Sequence, residues 1–215
     1  MADNVIKNSA FANLQRFTRR SEEAERCELC GKVLPFQHQH LIEPQSRKLA
    51  CSCDACAILF RNDKLKYRRI PRQIRYFENF ELSDAQWDGL MVPINMAFFF
   101  YSSPAEKVVA LYPSPAGPTE SLLSLEAWEE ITAVNPLLKK MEADTEALLV
   151  NRIGNDRGRE AEYFIAPIDE CFKLTGLIRA KWRGLSGGTE VWEEIGNFFA
   201  GLKKRATVVR ETICA

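Results

Sequence analysis

The sequence predicts an α+β chain in which a small metal-stapled module precedes an antiparallel-sheet domain with packed helices. Three observations carry that prediction. Two Cys-x-x-Cys pairs, Cys27/Cys30 and Cys53/Cys56, stand 22 residues apart near the N-terminus, the spacing of a tetrahedral thiolate site. Two apolar runs, 94–101 and 107–112, are joined by the short link Ser103-Pro104-Ala105-Glu106. A link of that length makes a hairpin, and a hairpin is antiparallel. Finally, Val191, Trp192, Ile195, Phe198, Phe199 and Leu202 fall on one stripe of a helix over 189–204. Strand pairs lie before and after a helical stretch rather than alternating singly with helices, which disfavours a parallel doubly wound sheet.

The chain has 215 residues, of which 46% are hydrophobic, enough for one ordinary domain plus a small module. Its net charge of zero hides an asymmetry. Residues 1–75 carry 15 Lys and Arg against 8 Asp and Glu, a net of +7, and residues 76–215 carry 14 against 21, a net of −7. Opposite signs fit two modules that face each other or meet different partners, so we divide the chain into a metal-binding module, 1–75, and an α+β domain, 76–215. No apolar run approaches the ~20 residues needed to cross a bilayer. Asn4, Lys7, Asn8 and Gln15 interrupt the first 20 residues, so these do not read as a signal peptide, and the cytoplasm is the expected compartment.

The cysteine pairs predict the sharpest chemistry. A Cys-x-x-Cys knuckle presents two sulfurs to one ion at about 2.3 Å, and Gly31 lets the chain turn away without a Cβ clash. Cys27, Cys30, Cys53 and Cys56 complete a four-thiolate shell for zinc, with iron as the other ion that four thiolates suit. Such a shell leaves no position for water or substrate, so the site is expected to be structural. Cys51 can stand in for Cys53, and His38 or His40 for one sulfur, but only Cys53 with Cys56 keeps the knuckle spacing. Five cysteines in 30 residues are too dense for packing alone, and an odd number does not close into disulfides.

In chain order, residues 4–20 show a loose helical pattern through Val5, Phe11, Leu14 and Phe17. After the cysteines, Lys64 to Arg75 is basic and carries Tyr67; it reads as a strand and linker docking on the acidic half, or as a contact for nucleic-acid phosphates. Ser83 caps a short helix that Gly89 stops. The hairpin of 94–112 follows, and Pro113 to Ser121, with three prolines, reads as a stiff exposed loop. Ser124 caps a helix that Pro136 ends, and a second helical piece runs through Leu137, Leu138 and Met141. Strands are expected at 147–151 and 162–168, separated by the turn Gly154 to Glu160. Asp169 to Trp182 fits strand or helix. Beyond Arg205 little pattern remains, and Cys214 is expected to be a free thiol.

A second candidate site lies at Arg179 to Gly188. Arg179, Trp182, Arg183, Gly187 and Gly188 lead into the last helix, where free backbone N–H groups attract an anion. The alternative is a helix start capped by Ser186 or Thr189. If this turn and the Pro113–Ser121 loop share a rim, Ser114, Arg179 and Arg183 form a surface for an acidic peptide or small anion.

Two resemblances bear on function. The order of first knuckle, His38-Gln39-His40, and a helix opening with the second Cys-x-x-Cys is similar to the treble-clef core of HNH endonucleases over about 35 residues. It implies a treble-clef or zinc-ribbon-like fold, with His40 at the family's general-base position. Gln39 stands where an acidic residue usually precedes that histidine, and Ala57 where a histidine or asparagine usually follows, so the metal-polarising half of a nuclease is missing. A nucleic-acid-binding module derived from such a nuclease is the fallback that this likeness allows. Over Cys27 to Leu202, the motifs Cys27-Glu28-Leu29-Cys30-Gly31, Ala110 to Ser121 and Trp182 to Gly188 resemble an uncharacterised bacterial family encoded beside nickel–iron uptake hydrogenases. That likeness implies a non-enzymatic accessory or maturation protein that binds a hydrogenase subunit or another accessory protein. A rubredoxin-like iron carrier in the same setting is the other alternative.

Overall fold

The computed structural model describes residues 24–60, 66–122, 125–154, 158 and 160–210. The expected helix over 4–20, the Ser124 cap and Cys214 lie outside them, as do Lys64, Leu65 and part of the turn before Glu160. The described chain is α+β, as the sequence predicts. A β-hairpin of β1 (Gln39–Glu43) and β2 (Lys48–Ser52) leads into α1 (Asp54–Leu59), and β3 (Arg68–Arg69) pairs antiparallel with the other edge of β1. First knuckle, hairpin and helix thus follow one another in treble-clef order.

The larger sheet has seven strands. In chain order these are β4 (Arg75–Phe77), β5 (Met96–Ser102), β6 (Lys107–Ser114), β7 (Gly117–Glu120), β8 (Glu146–Asn151), β9 (Glu162–Pro167) and β10 (Thr207–Val209), arranged β10-β4-β9-β8-β5-β6-β7. All pairings are antiparallel except β10 with β4, which is parallel. The run Met96 to Phe100 is apolar without alternation because both faces of the sheet are covered. Phe98, Phe100, Leu149 and Phe164 face one core with α4 (Ile168–Lys181) and α5 (Gly188–Arg205); Phe99, Leu148, Val150 and Ile165 face a second core. That second core is closed by Trp87 of α2 (Asp84–Gly89), Trp128 and Ile131 of α3 (Leu125–Val134), and Leu138 of a 3₁₀ turn, Pro136–Lys140. Segment 168–181 is therefore a helix, resolving the ambiguity there: Ile168, Cys171, Leu174 and Ile178 recur at helical spacing and are all buried.

The structure corrects several element readings. The Pro113–Ser121 segment is not simply a loop. Ser114 and Gly117 close a turn, and Gly117–Glu120 returns as edge strand β7, where Pro118 faces Pro113. Proline is tolerated because the outer side of an edge strand needs no ladder donor. The chain beyond Arg205 also has order, since Thr207–Val209 pairs with β4. Pro136 opens the 3₁₀ turn as well as following α3, its missing N–H costing nothing at a first position. Ser83 caps α2 with a full capping box through Gln86, but Gly89 is the last helical residue, and Met91 adopts the left-handed conformation after it.

The small sheet is joined to the larger one by apolar and ionic contacts. Ile42, Ile70 and Ile74 are buried in the α4/α5 core, with Leu49 against its edge. The basic segment meets buried acids. Arg68 pairs with Asp144 at 2.7 Å and Arg75 with Glu146 at 2.6 Å. Asp144 also accepts from the N–H and hydroxyl of Ser103, holding the start of the β5–β6 turn.

Candidate metal centre and the residues around it

The two knuckles are brought together by backbone geometry. Gly31 has φ +74°, and its N–H donates to the Cys27 carbonyl at 2.8 Å, closing the first turn. The Arg26–Val33 bridge holds the chain on either side. Cys53 is the extended N-cap residue of α1, which sets Cys56 three residues later on the same side of the first turn. Glu28 fastens the first knuckle to β2: its N–H donates to the Cys51 carbonyl, and its carboxylate accepts from the Cys51 N–H, both at 2.9 Å.

The sulfurs of Cys27, Cys30, Cys53 and Cys56 lie within 4.8 Å of one another. Cys30 and Cys53 Sγ are 3.7 Å apart, against an edge of about 3.8 Å for a tetrahedron with ~2.3 Å metal–sulfur bonds. Cys27, Cys53 and Cys56 are buried, while Cys30 is exposed. Burial pushes the Cys27 thiol up, but backbone N–H groups of Cys53, Leu29 and Cys30 outweigh it and hold Cys27 at about 6. Cys56 is pushed up to about 12 by its hydrogen bond to Cys53 and then by burial. Metal binding needs the thiolate form, and a bound cation supplies the charge that displaces the thiol protons. The four cysteines can hold a metal ion such as zinc.

His38, His40 and Cys51 do not join that group; they gather separately, their ligand atoms within 4.8 Å of one another. His40 stands opposite Cys51 across β1 and β2, so the two share a sheet face. The His40 ring packs edge-on against His38, centroids 4.8 Å apart. His40 Nδ1 is 2.7 Å from Asp169 Oδ2, at the start of α4. That hydrogen bond raises the His40 pKa, partly offset by burial. Sequence reasoning missed Asp169, because the pair spans 129 positions and no local signal links them.

The second candidate site is less assembled. Trp182, Arg183, Gly187 and Gly188 do share one turn, in which the Arg183 N–H donates to the Gly187 carbonyl at 3.1 Å. The Arg183 guanidinium bonds the carbonyls of Ala180 and Trp182, and Trp182 Nε1 bonds that of Gly184. Neither Ser186 nor Thr189 caps α5. Gly187 is its N-cap at φ +86°, without a side-chain cap, and the Ser186 carbonyl accepts from Trp192 Nε1. Ser114 spends its hydroxyl within its own turn, donating to the Gly117 carbonyl and accepting from Ala116 and Thr119. Arg179 is exposed on α4.

A family model described as a family of unknown function, DUF5947, matches residues 26–206. The chain belongs to that family. No curated protein and no solved structure matches it. The DUF5947 match takes in both cysteine pairs, the hairpin and six of the seven strands of the larger sheet, with β10 just beyond its end, so the metal centre and most of the larger domain fall within one family unit. Among the described residues of this DUF5947 chain, no helix is long and apolar enough to cross a membrane.

Proposed function

We propose that this chain is a metal-stabilised accessory protein that acts by binding another protein and has no catalysis of its own. In this reading Cys27, Cys30, Cys53 and Cys56 hold zinc, and the ion folds the 1–75 module against the 76–215 domain. The observation that carries it is the four-sulfur group, its sulfurs within 4.8 Å of one another; four thiolates on one ion complete a tetrahedral shell and leave no coordination position for substrate. Val33, Phe36, Ile58 and Leu59 support the binding role, being large apolar side chains exposed on the metal-bearing module. Arg179 and Arg183, with the Trp182–Gly188 turn, supply a cationic patch for an acidic partner segment; Ser114, whose hydroxyl is used within the β6–β7 turn, is left out of it. The partner class follows from the resemblance to proteins encoded beside nickel–iron hydrogenases: a hydrogenase subunit or another accessory protein, met in the cytoplasm.

Affinity purification of the tagged chain from cells producing such a hydrogenase should recover its subunits, and Arg183→Glu should weaken that recovery while the circular dichroism spectrum stays unchanged. Recovery of the chain alone would contradict the proposal. Elemental analysis and colour distinguish zinc from iron. A protein purified without oxygen that shows no iron absorption is not a rubredoxin-like carrier.

A further inference from the structure

Beside the four-thiolate group lies a set of ligands which that group does not use. His38 immediately precedes β1, two positions before His40, Cys51 faces His40 across the hairpin, and one ligand atom from each of the three lies within 4.8 Å of the others. Both Nδ1 atoms are already engaged, that of His40 with the Asp169 carboxylate at 2.7 Å and that of His38 with the Pro35 carbonyl at 3.0 Å. A carboxylate and a carbonyl only accept, so each Nδ1 carries a proton, and in the neutral ring, the form that binds a metal, the lone pair sits on Nε2. His38 Nε2 is buried and has no partner among the described residues, in a side chain that is 5% exposed. A buried acceptor left bare is costly, and a metal ion is the partner that lone pair fits.

We propose that His38, His40 and Cys51 form a second metal site, distinct from the four-cysteine group, that takes a borderline divalent transition-metal ion such as zinc. Imidazole and thiolate suit such an ion, and the donors need to draw in by about 1 Å to reach bonding distance. Asp169 holds the His40 tautomer and ring from outside the shell, the arrangement in which a carboxylate backs a metal-bound histidine. Because Asp169 belongs to α4 and the ligands to the hairpin, the ion also ties the module to the sheet domain. Three protein ligands leave one tetrahedral position for water or an external donor, which the four-thiolate site lacks. The inference goes beyond the accessory reading, whose metal is held by the four cysteines, and does not depend on it.

The test is zinc content of the full chain after equilibration with zinc and removal of excess. We expect about two ions per chain in the wild type, and about one in Cys51→Ala and in the double variant His38→Ala/His40→Ala. Asp169→Asn should retain the site with an affinity lower by about 10- to 100-fold. Cys30→Ser reports on the four-cysteine group separately, so its failure and the failure of this site are distinguishable. Iodoacetamide labelling gives a readout independent of stoichiometry: zinc should slow alkylation of Cys51, and a chelator should restore it. A wild type holding about one ion, with that ion kept by the double histidine variant, would overturn the proposal. So would Cys51 alkylation that zinc does not change but His40→Ala slows, which would make the trio a thiol–imidazole pair.

Discussion

Asp144 shows how a single side chain joins the two parts of the chain. Asp144 is 2% exposed, and its partners are Arg68 from the basic segment and Ser103 from the β5–β6 turn. Removing one partner of a buried pair strands the other charge, at a cost of about 3 kcal/mol. Arg68→Ala should lower the urea midpoint accordingly at unchanged m-value, and a loss within experimental error would show that the pair contributes nothing. The basic character of Lys64 to Arg75 was legible in the sequence; its pairing was not. Which acid an arginine meets depends on the fold bringing β8 alongside, and Asp144 lies 76 positions from Arg68. The knuckles were legible because their chemistry is local, four ligands in two short motifs. The His40–Asp169 contact, by contrast, exists only once α4 has packed over the hairpin.

At the scale of elements, the helix over 189–204 was readable because its apolar stripe is continuous, and the observed α5 differs by one residue at each end. Strands β7 and β10 were not. β7 is written in glycine and proline, which signal a loop unless the residue lies on an edge, and β10 is a three-residue strand whose order comes from β4. The turn into α5 was read for its permissive glycines, and the structure gives one of them a packing reason. A Cβ on Gly187 would lie 2.8 Å from Val191 Cγ1 and 3.1 Å from the Trp182 ring, at φ +86°; a Cβ on Gly184, at φ +61°, would meet nothing within 4 Å. Gly187→Ala should therefore cost roughly 3 kcal/mol, from left-handed strain plus overpacking, and Gly184→Ala about 1 kcal/mol from strain alone. Thermal unfolding of the two variants checks the order, and equal losses would mean that the contact with Val191 relaxes freely.

Across the whole molecule, the metal module rests on the same core that α4 and α5 bury against the sheet, through Ile42, Ile70 and Ile74. A module this small has little core of its own beyond the cysteines and Leu34, so its order is expected to depend on the ion. Cys30→Ser should lose the four-cysteine ion and expose the hairpin amides to hydrogen exchange while β5, β8 and β9 stay protected. Uniform protection in that variant would mean that the module folds without metal. Four cysteine sulfurs are expected to enclose one ion, which zinc X-ray absorption of the Cys51→Ala variant, with the second site removed, can test. The expected shell is four sulfurs at about 2.3 Å; nitrogen or oxygen in that shell, or no bound zinc, would show that the four cysteines do not hold the ion.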